Sequence, residues 1–249
     1  MSGTPTTEGT YNFTVQVTDN VAATDTQALS IIIGPASPPG SAPAFGSAGA
    51  AAEALGTSIN VPYPAGTAAN DILVLLVLTK DTVDINTPAG FTEGGARNQT
   101  SLRAEWFWKR ATGSESGALT VTKASGTTLL YGRMYRFTGA TTSGTPYEAA
   151  AMTGAGGTAL TPVDITTLGP NRRVVVLTAV EDDLALGSYT GGTATLPEDV
   201  AEAKTATGTD ASLGLNSLAR TVAEAFDFGS QAITNNRNHV LFTFALVSA

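Results

Sequence analysis

Apolar residues in this chain fall into short runs separated by glycine-rich turns, and no long segment sustains a helical period. Residues 57–63 (TSINVPY) and 117–123 (GALTVTK) alternate with period two, the pattern of a half-buried strand. Residues 71–79 (DILVLLVLT) are apolar on both faces, which predicts a central strand covered from both sides. Further strands are expected at 102–110 (LRAEWFWKR), 129–138 (LLYGRMYRFT), 173–180, 212–223 and 239–247. PAG, TGSESG, GAGG and TGG between them are turn signals, and the GAGG at 154–157 reads as a flexible loop. Residues 199–206 and 219–226 leave room for a turn of helix, although their Thr, Val and Phe suit strands equally. This rhythm predicts an all-β sandwich or barrel.

Composition excludes several kinds of chemistry. Among 249 residues there is no cysteine, hence no disulfide scaffold, thiolate nucleophile or Cys-ligated zinc. A single histidine rules out a multi-His metal site and leaves little acid–base capacity near neutral pH. Thirteen Lys and Arg against 21 Asp and Glu give a net charge of −8, which argues against a phosphate-driven nucleic-acid binder. Only 14% of residues are charged; Thr, Ala, Gly and Ser fill the gap, and Thr hydrates a surface without charge. The apolar run at 72–78 is too short to cross a bilayer, so no membrane insertion is expected, and no signal-peptide pattern opens the chain.

Three segments are expected. Residues 10–18 (TYNFTVQVT) alternate cleanly, Asp19-Asn20 can turn the chain, and 28–33 (ALSIII) can return it, so residues 1–34 read as a β-hairpin. Residues 35–43 are dense in Pro and Gly and read as a stiff linker. Residues 44–249 form the main β domain, and they carry an internal repeat, about 57–139 and 163–248. Each copy runs from a buried strand through a Pro turn (residues 87–91 and 196–200), a Thr/Gly stretch, Ser-Leu (101–102 and 212–213) and a glycine loop to an apolar last strand. Two copies of about four strands predict an eight-stranded, jelly-roll-like sandwich.

Few residues invite chemistry. Trp106, Phe107 and Trp108 share one strand, the two Trp on one face and Phe107 on the other. They are candidates for core packing, for an interface with a neighbouring subunit or for stacking on a sugar. Glu181, Asp182 and Asp183 follow a buried strand and could offer hard oxygens to Ca²⁺, although a linear run lacks the spaced loop of a calcium motif. His239 is expected at the surface or at a strand end, without a nucleophile partner. Glu93, Glu105 and Glu148 are the carboxylates open to a glycosidase reading, and no spacing pairs them. No catalytic residue emerges.

Two resemblances add a setting. SGTPTTEGTYNFTVQVTDN, at residues 2–20, resembles the end of the Ig-like (cadherin-like) modules of bacterial and phage surface proteins, in which a GTYxFTVxVTD strand precedes the last strand. A full module needs about seven strands, so this resemblance implies that the missing ones come from a longer chain, from the next domain or from another chain. VPYPAGTAANDILVLLVLT, TPAGFTE, WFWKRATGSESGALTVT and RMYRFTGA resemble a recurrent domain of phage and prophage virion proteins, over about residues 42–249. The chain departs from that pattern at Asn70, where the family often has Gly, and at Phe91, where it often has Trp.

The resemblance implies a non-enzymatic structural protein of a tailed phage, displayed on the virion surface as a capsid decoration or as a tail or fibre component, outside the cell. Other virion proteins, further copies of the same chain and a host surface glycan are the implied partners. The other reading is a carbohydrate-binding module of a larger secreted bacterial protein. Neither reading requires a cofactor.

Overall fold

The computed structural model describes residues 9–33, 40–199, 203–205 and 210–249. The chain divides into two compact units, Met1–Gly40 and Ser41–Ala249. Most of the expected linker, and the SGTP turn before the hairpin, lie outside the described residues.

The first unit is a hairpin of β1 (Gly9–Thr18) and β2 (Thr24–Ile33), paired from Gly9↔Ile33 to Thr18↔Thr24. Its turn is built by Asp19, whose carboxylate accepts the N–H groups of Val21 and Ala23, both at 2.9 Å. Period-two alternation sorts the side chains onto two faces. Tyr11, Phe13, Val15 and Val17 share one face with Leu29 and Ile31, and Asn12, Thr14, Gln16 and Ser30 take the other. Cross-strand apolar pairs, Tyr11↔Ile31 and Phe13↔Leu29, stabilise the ladder locally.

The second unit is all-β, and each half of it builds a central antiparallel sheet of its own. In the first half the strands are β3 (Ala44–Ala48), β4 (Ala52–Leu55), β5 (Ser58–Pro62), β6 (Ile72–Thr79), β7 (Ile85–Asn86), β8 (Thr92–Gln99), β9 (Leu102–Arg110), β10 (Ala118–Lys123) and β11 (Leu129–Thr138). In the second half they are β12 (Tyr147–Leu160), β13 (Ile165–Thr166), β14 (Arg172–Val180), β15 (Ala203–Lys204), β16 (Ser212–Arg220), β17 (Ala225–Phe226) and β18 (Gln231–Val247). The first sheet runs β3-β11-β6-β9-β8 with β4 also on β11, and the second runs β12-β18-β14-β16-β15. Strand for strand, this is one topology used twice. Ile72 lies between Phe137 and Arg110, and Arg173 lies between Leu246 and Ala219 in the matching places. The small ladder β5-β10 of the first half corresponds to β13-β17 of the second.

The sandwich expected from the sequence is therefore present, with a different strand count and path. The repeat suggested eight strands wound as a jelly roll. The central sheets instead hold six and five strands, and the chain completes one before starting the other. The repeat also begins earlier in each half, because β3, β4 and β12 precede the stretches in which the apolar pattern is visible.

Packing explains the doubly apolar runs. Ile72, Val74, Leu76 and Leu78 of β6 face Val175, Leu177 and Ala179 of β14 in the core between the two sheets, with Phe242 and Phe244 of β18. The opposite face of β6, Leu73, Leu75 and Val77, packs under β5 and β10 through Ile59, Val61 and Val121. Likewise Val174 and Val176 of β14 lie beneath Ile165, Leu186, Tyr189, Leu196 and Phe228. Both strands are buried on both faces. Asn70, in the turn before β6, has φ 71°, a left-handed conformation that Asn tolerates better than most residues. That accounts for its standing where the resembled pattern has glycine.

Besides the short strands β3, β4, β7, β13, β15 and β17, two long strands escaped the pattern, β8 (TEGGARNQ) and β12 (YEAAAMTGAGGTAL). Residues 154–157, expected as a flexible loop, lie inside β12 and pair with Val240 through Arg237 of β18. Glycine here marks close approach rather than a turn. A Cβ on Gly94 would lie 2.3 Å from the Trp106 ring, and one on Gly154 would lie 3.2 Å from the Arg97 side chain. The described parts of 199–206 and 219–226 contain no helix; they hold short strands and bends.

Gly94→Ala should therefore force Trp106 out of place and cost about 2–3 kcal/mol, several degrees in Tm. Gly95→Ala should cost much less, because its Cβ would stand 3.2 Å from the flexible end of Met152 and 3.3 Å from Trp106 Nε1, so its neighbours need give only a few tenths of an ångström. Thermal unfolding of the two variants checks the contrast.

Candidate functional site

The aromatic strand is an internal packing element. Trp106 is 2% exposed and stacks on Phe244 of the opposite sheet, with centroids 4.3 Å apart and planes 3° from parallel. Tyr147 meets its edge at 4.9 Å. Phe107, on the other face of β9, is fully buried with Leu75 and Met134. Trp108 is half-buried against the inter-sheet core and edge-on to Tyr147. Trp106 and Phe107 thus have no open face for a sugar, and the strand's alternation divides the three rings between two cores.

The acidic run lies at the end of β14, and its three carboxylates point to three different sets of donors. Glu181 accepts the backbone N–H of Asn238 at 2.9 Å, the Asn238 side-chain amide at 3.0 Å and the Ser101 hydroxyl at 3.3 Å. Asp182 pairs with Arg237. Burial alone would raise the Asp182 pKa, but the Arg237 hydrogen bond and charge outweigh it and hold it below the ordinary value. Asp183 accepts the Thr205 hydroxyl at 2.9 Å and the Ala211 N–H at 3.0 Å. Among the described residues no three Asp, Glu or His side chains are gathered as a metal site. What the run does is join the halves: Ser101 comes from the first half, and Lys80, also from the first, donates to the carbonyls of Glu181 and Asp210.

His239 is not at the surface. It is 1% exposed in β18, with Nδ1 3.0 Å from the Arg237 carbonyl. A carbonyl can only accept, so Nδ1 carries the proton of the neutral ring. Burial lowers the His239 pKa, and the carbonyl contact offsets that only in part.

Of the three glutamates raised from the sequence, Glu93 is exposed on β8, and Glu105 and Glu148 are engaged, each separately. Glu105 is buried and accepts from Ile85 N–H and from Arg103; burial raises its pKa against those bonds. Glu148 accepts from Arg172 and the Leu168 N–H. A groove of about 240 Å³ beside β13 and β17 is lined by Ile165, Thr193, Phe226 and two aspartates. Those aspartates serve the loops: Asp164 accepts from Phe228 N–H and Asp227 from Gly229 N–H.

One polar cluster was not anticipated. Lys123 ends β10 with its ammonium fully buried, donating to Asp81 at 2.7 Å, Thr79 at 2.8 Å and Thr128 at 2.6 Å. Burial would raise the Asp81 pKa, but bonds from Lys123, Thr128 and the Val83 N–H bring it below its ordinary value. A charged amine with three acceptors is not a nucleophile, so this is a structural ion pair. The signal was present in the sequence: Leu119, Val121 and Lys123 fall on one face of the alternation, so a lysine takes an apolar position. Glu115, in the loop before β10, shows the same logic. Burial opposes its charge, yet donors from Lys109 and Thr112 pull its pKa down to about 2.

No protein-family model matches the chain, and neither a curated protein nor a solved structure matches it. Among the described residues no helix is long and apolar enough to cross a membrane.

Two outcomes follow. Lys123→Met should cost about 3 kcal/mol in denaturant unfolding, because it leaves Asp81 and its hydroxyl partners facing an uncharged methyl. Because the His239 pKa is lowered on folding, the unfolded chain binds more protons below about pH 6.5 and stability falls as pH falls. The loss is bounded at about 1.4 kcal/mol per pH unit for one proton. With one histidine in the chain, His239→Asn should flatten the stability curve between pH 7 and pH 5.

Proposed function

We propose that this chain is a non-enzymatic structural protein of a tailed phage, displayed on the virion surface as a capsid decoration or a tail or fibre component, where it serves adhesion or particle stabilisation. The observation that carries this reading is the use of charge within Ser41–Ala249. The carboxylates at strand ends and loops, Glu115, Glu148, Asp182 and Asp183 among them, bond to backbone N–H groups or basic side chains of the fold itself. Such a unit is a rigid spacer whose polar chemistry is spent on cohesion. The covered sheets and the Thr- and Gly-rich sequence suit a surface that must stay soluble without reacting, and the resemblance over about residues 42–249 supplies the setting.

In that setting function comes from copy number. A weak site repeated on one particle binds a cell surface with an avidity that no single copy has. Host surface glycan and neighbouring virion proteins are the partners this reading expects. The alternative is a carbohydrate-binding module of a larger secreted bacterial protein; an exposed aromatic platform would favour it, and Trp106 and Phe107 are core residues.

Immunogold electron microscopy of particles from the host that encodes the chain, together with a glycan array on the purified protein, tests the proposal. Gold at regular, multiple positions on each particle is the expected result. Reproducible sugar binding with no particle association would overturn it in favour of the secreted module.

A further inference from the structure

The hairpin of β1 and β2 presents an apolar face that the described residues of its own unit leave open. Phe13 and Val15 are each 42% exposed, Leu29 is 44% exposed and Ile31 is 51% exposed, with Tyr11 and Val17 on the same face. The opposite face is mainly Thr, Asn, Gln and Ser, with Ala28 opposite Thr14, and Gln27 lies opposite Val15 on the apolar face. A two-stranded hairpin is marginal in water, and this one spends its apolar side chains on a surface facing solvent. The Ser41–Ala249 unit offers nothing comparable among its described residues. Its central strands are covered on both faces, and its large exposed apolar side chains are Leu55, Met152, Val163, Leu168 and Val222, of which Leu168 and Val222 flank the Thr167–Glu224 contact.

We infer that this face is a self-association surface, on which the hairpins of two copies of the chain stack apolar face to apolar face. Another hairpin is the one surface of matching size and chemistry that the described residues contain. The six side chains expose roughly 500 Å² per hairpin, so a pair buries roughly 1,000 Å², about the lower bound for a specific interface. The contact is also electrically permissive: the acidic side chain on this face, Asp25, lies opposite Val17 at the turn end, away from Tyr11, Phe13, Leu29 and Ile31. The association is accordingly weak and reversible for a free pair, and strong when many chains are held together. It stands independently of the assignment to a virion.

Sedimentation velocity of the full chain over a range of concentrations provides the test. The unaltered chain and an Asn12→Lys/Thr14→Lys variant, changed on the polar face, should form a dimer whose fraction rises with concentration. Phe13→Lys/Val15→Lys should weaken that dimer at least tenfold. Because the chain has no cysteine, Leu29→Cys should give a disulfide-linked dimer on mild oxidation and Ser30→Cys should not, which reads the contact without adding charge. A chain that is monomeric at every concentration, a dimer that survives the Phe13/Val15 change, or a Leu29→Cys variant that does not cross-link would each overturn the inference.

Discussion

A β-sheet has two faces, and the main unit of this protein is organised by the need to keep water from both faces of both central sheets. The inner faces cover one another: Val74 and Leu76 meet Val175 and Leu177, and Trp106 stacks on Phe244 across the gap. The outer faces have to be covered by something else. Each half supplies its own cover, β5 and β10 over the first sheet and β13, β17 and long loops over the second. Gly132 shows how closely the first cover sits, since a Cβ there would lie 3.2 Å from Ile59 and Val61. Layering comes from hydrophobic burial, while the ion pairs and capped carboxylates fix the ends of strands already placed by that burial.

That division of labour decides what the sequence reveals. Strands buried on both faces or on alternate positions announce themselves, so β6, β9, β11 and β14 were legible nearly to the residue. Edge strands were not. β8 and β12 are packed through glycine and alanine because large side chains and a neighbouring sheet crowd them, and glycine in a sequence reads first as a turn. The connectivity was hidden for a different reason. Two Thr- and Gly-rich repeats are compatible with strands shared between sheets or kept within one, and only the hydrogen-bond registers distinguish these.

The candidate site followed the same rule. Alternation alone placed Trp106 and Phe107 on opposite faces, and the structure adds that both faces are interior. The run from Glu181 to Asp183 left a solvated loop and a weak cation site both open, because adjacent carboxylates in a sequence cannot show where each will point. Folding sends them to Asn238, Arg237 and Thr205. Lys123 and His239 are the reverse case: polar residues set inside, legible only as breaks in an otherwise apolar face.

Because the chain finishes one sheet before it begins the other, the two halves differ in time as well as in place. When the first half has emerged during synthesis, its strands can already pair, and β5 and β10 can already cover one side. The other side, with Ile72, Val74, Leu76, Leu78 and Trp106, has no cover until the second half is made. A nascent chain that stalls there carries a broad adhesive surface, and it is open to aggregation or to capture by another copy at the same stage. The duplication that makes the finished unit so fully enclosed also gives it one vulnerable interval on the way to being complete.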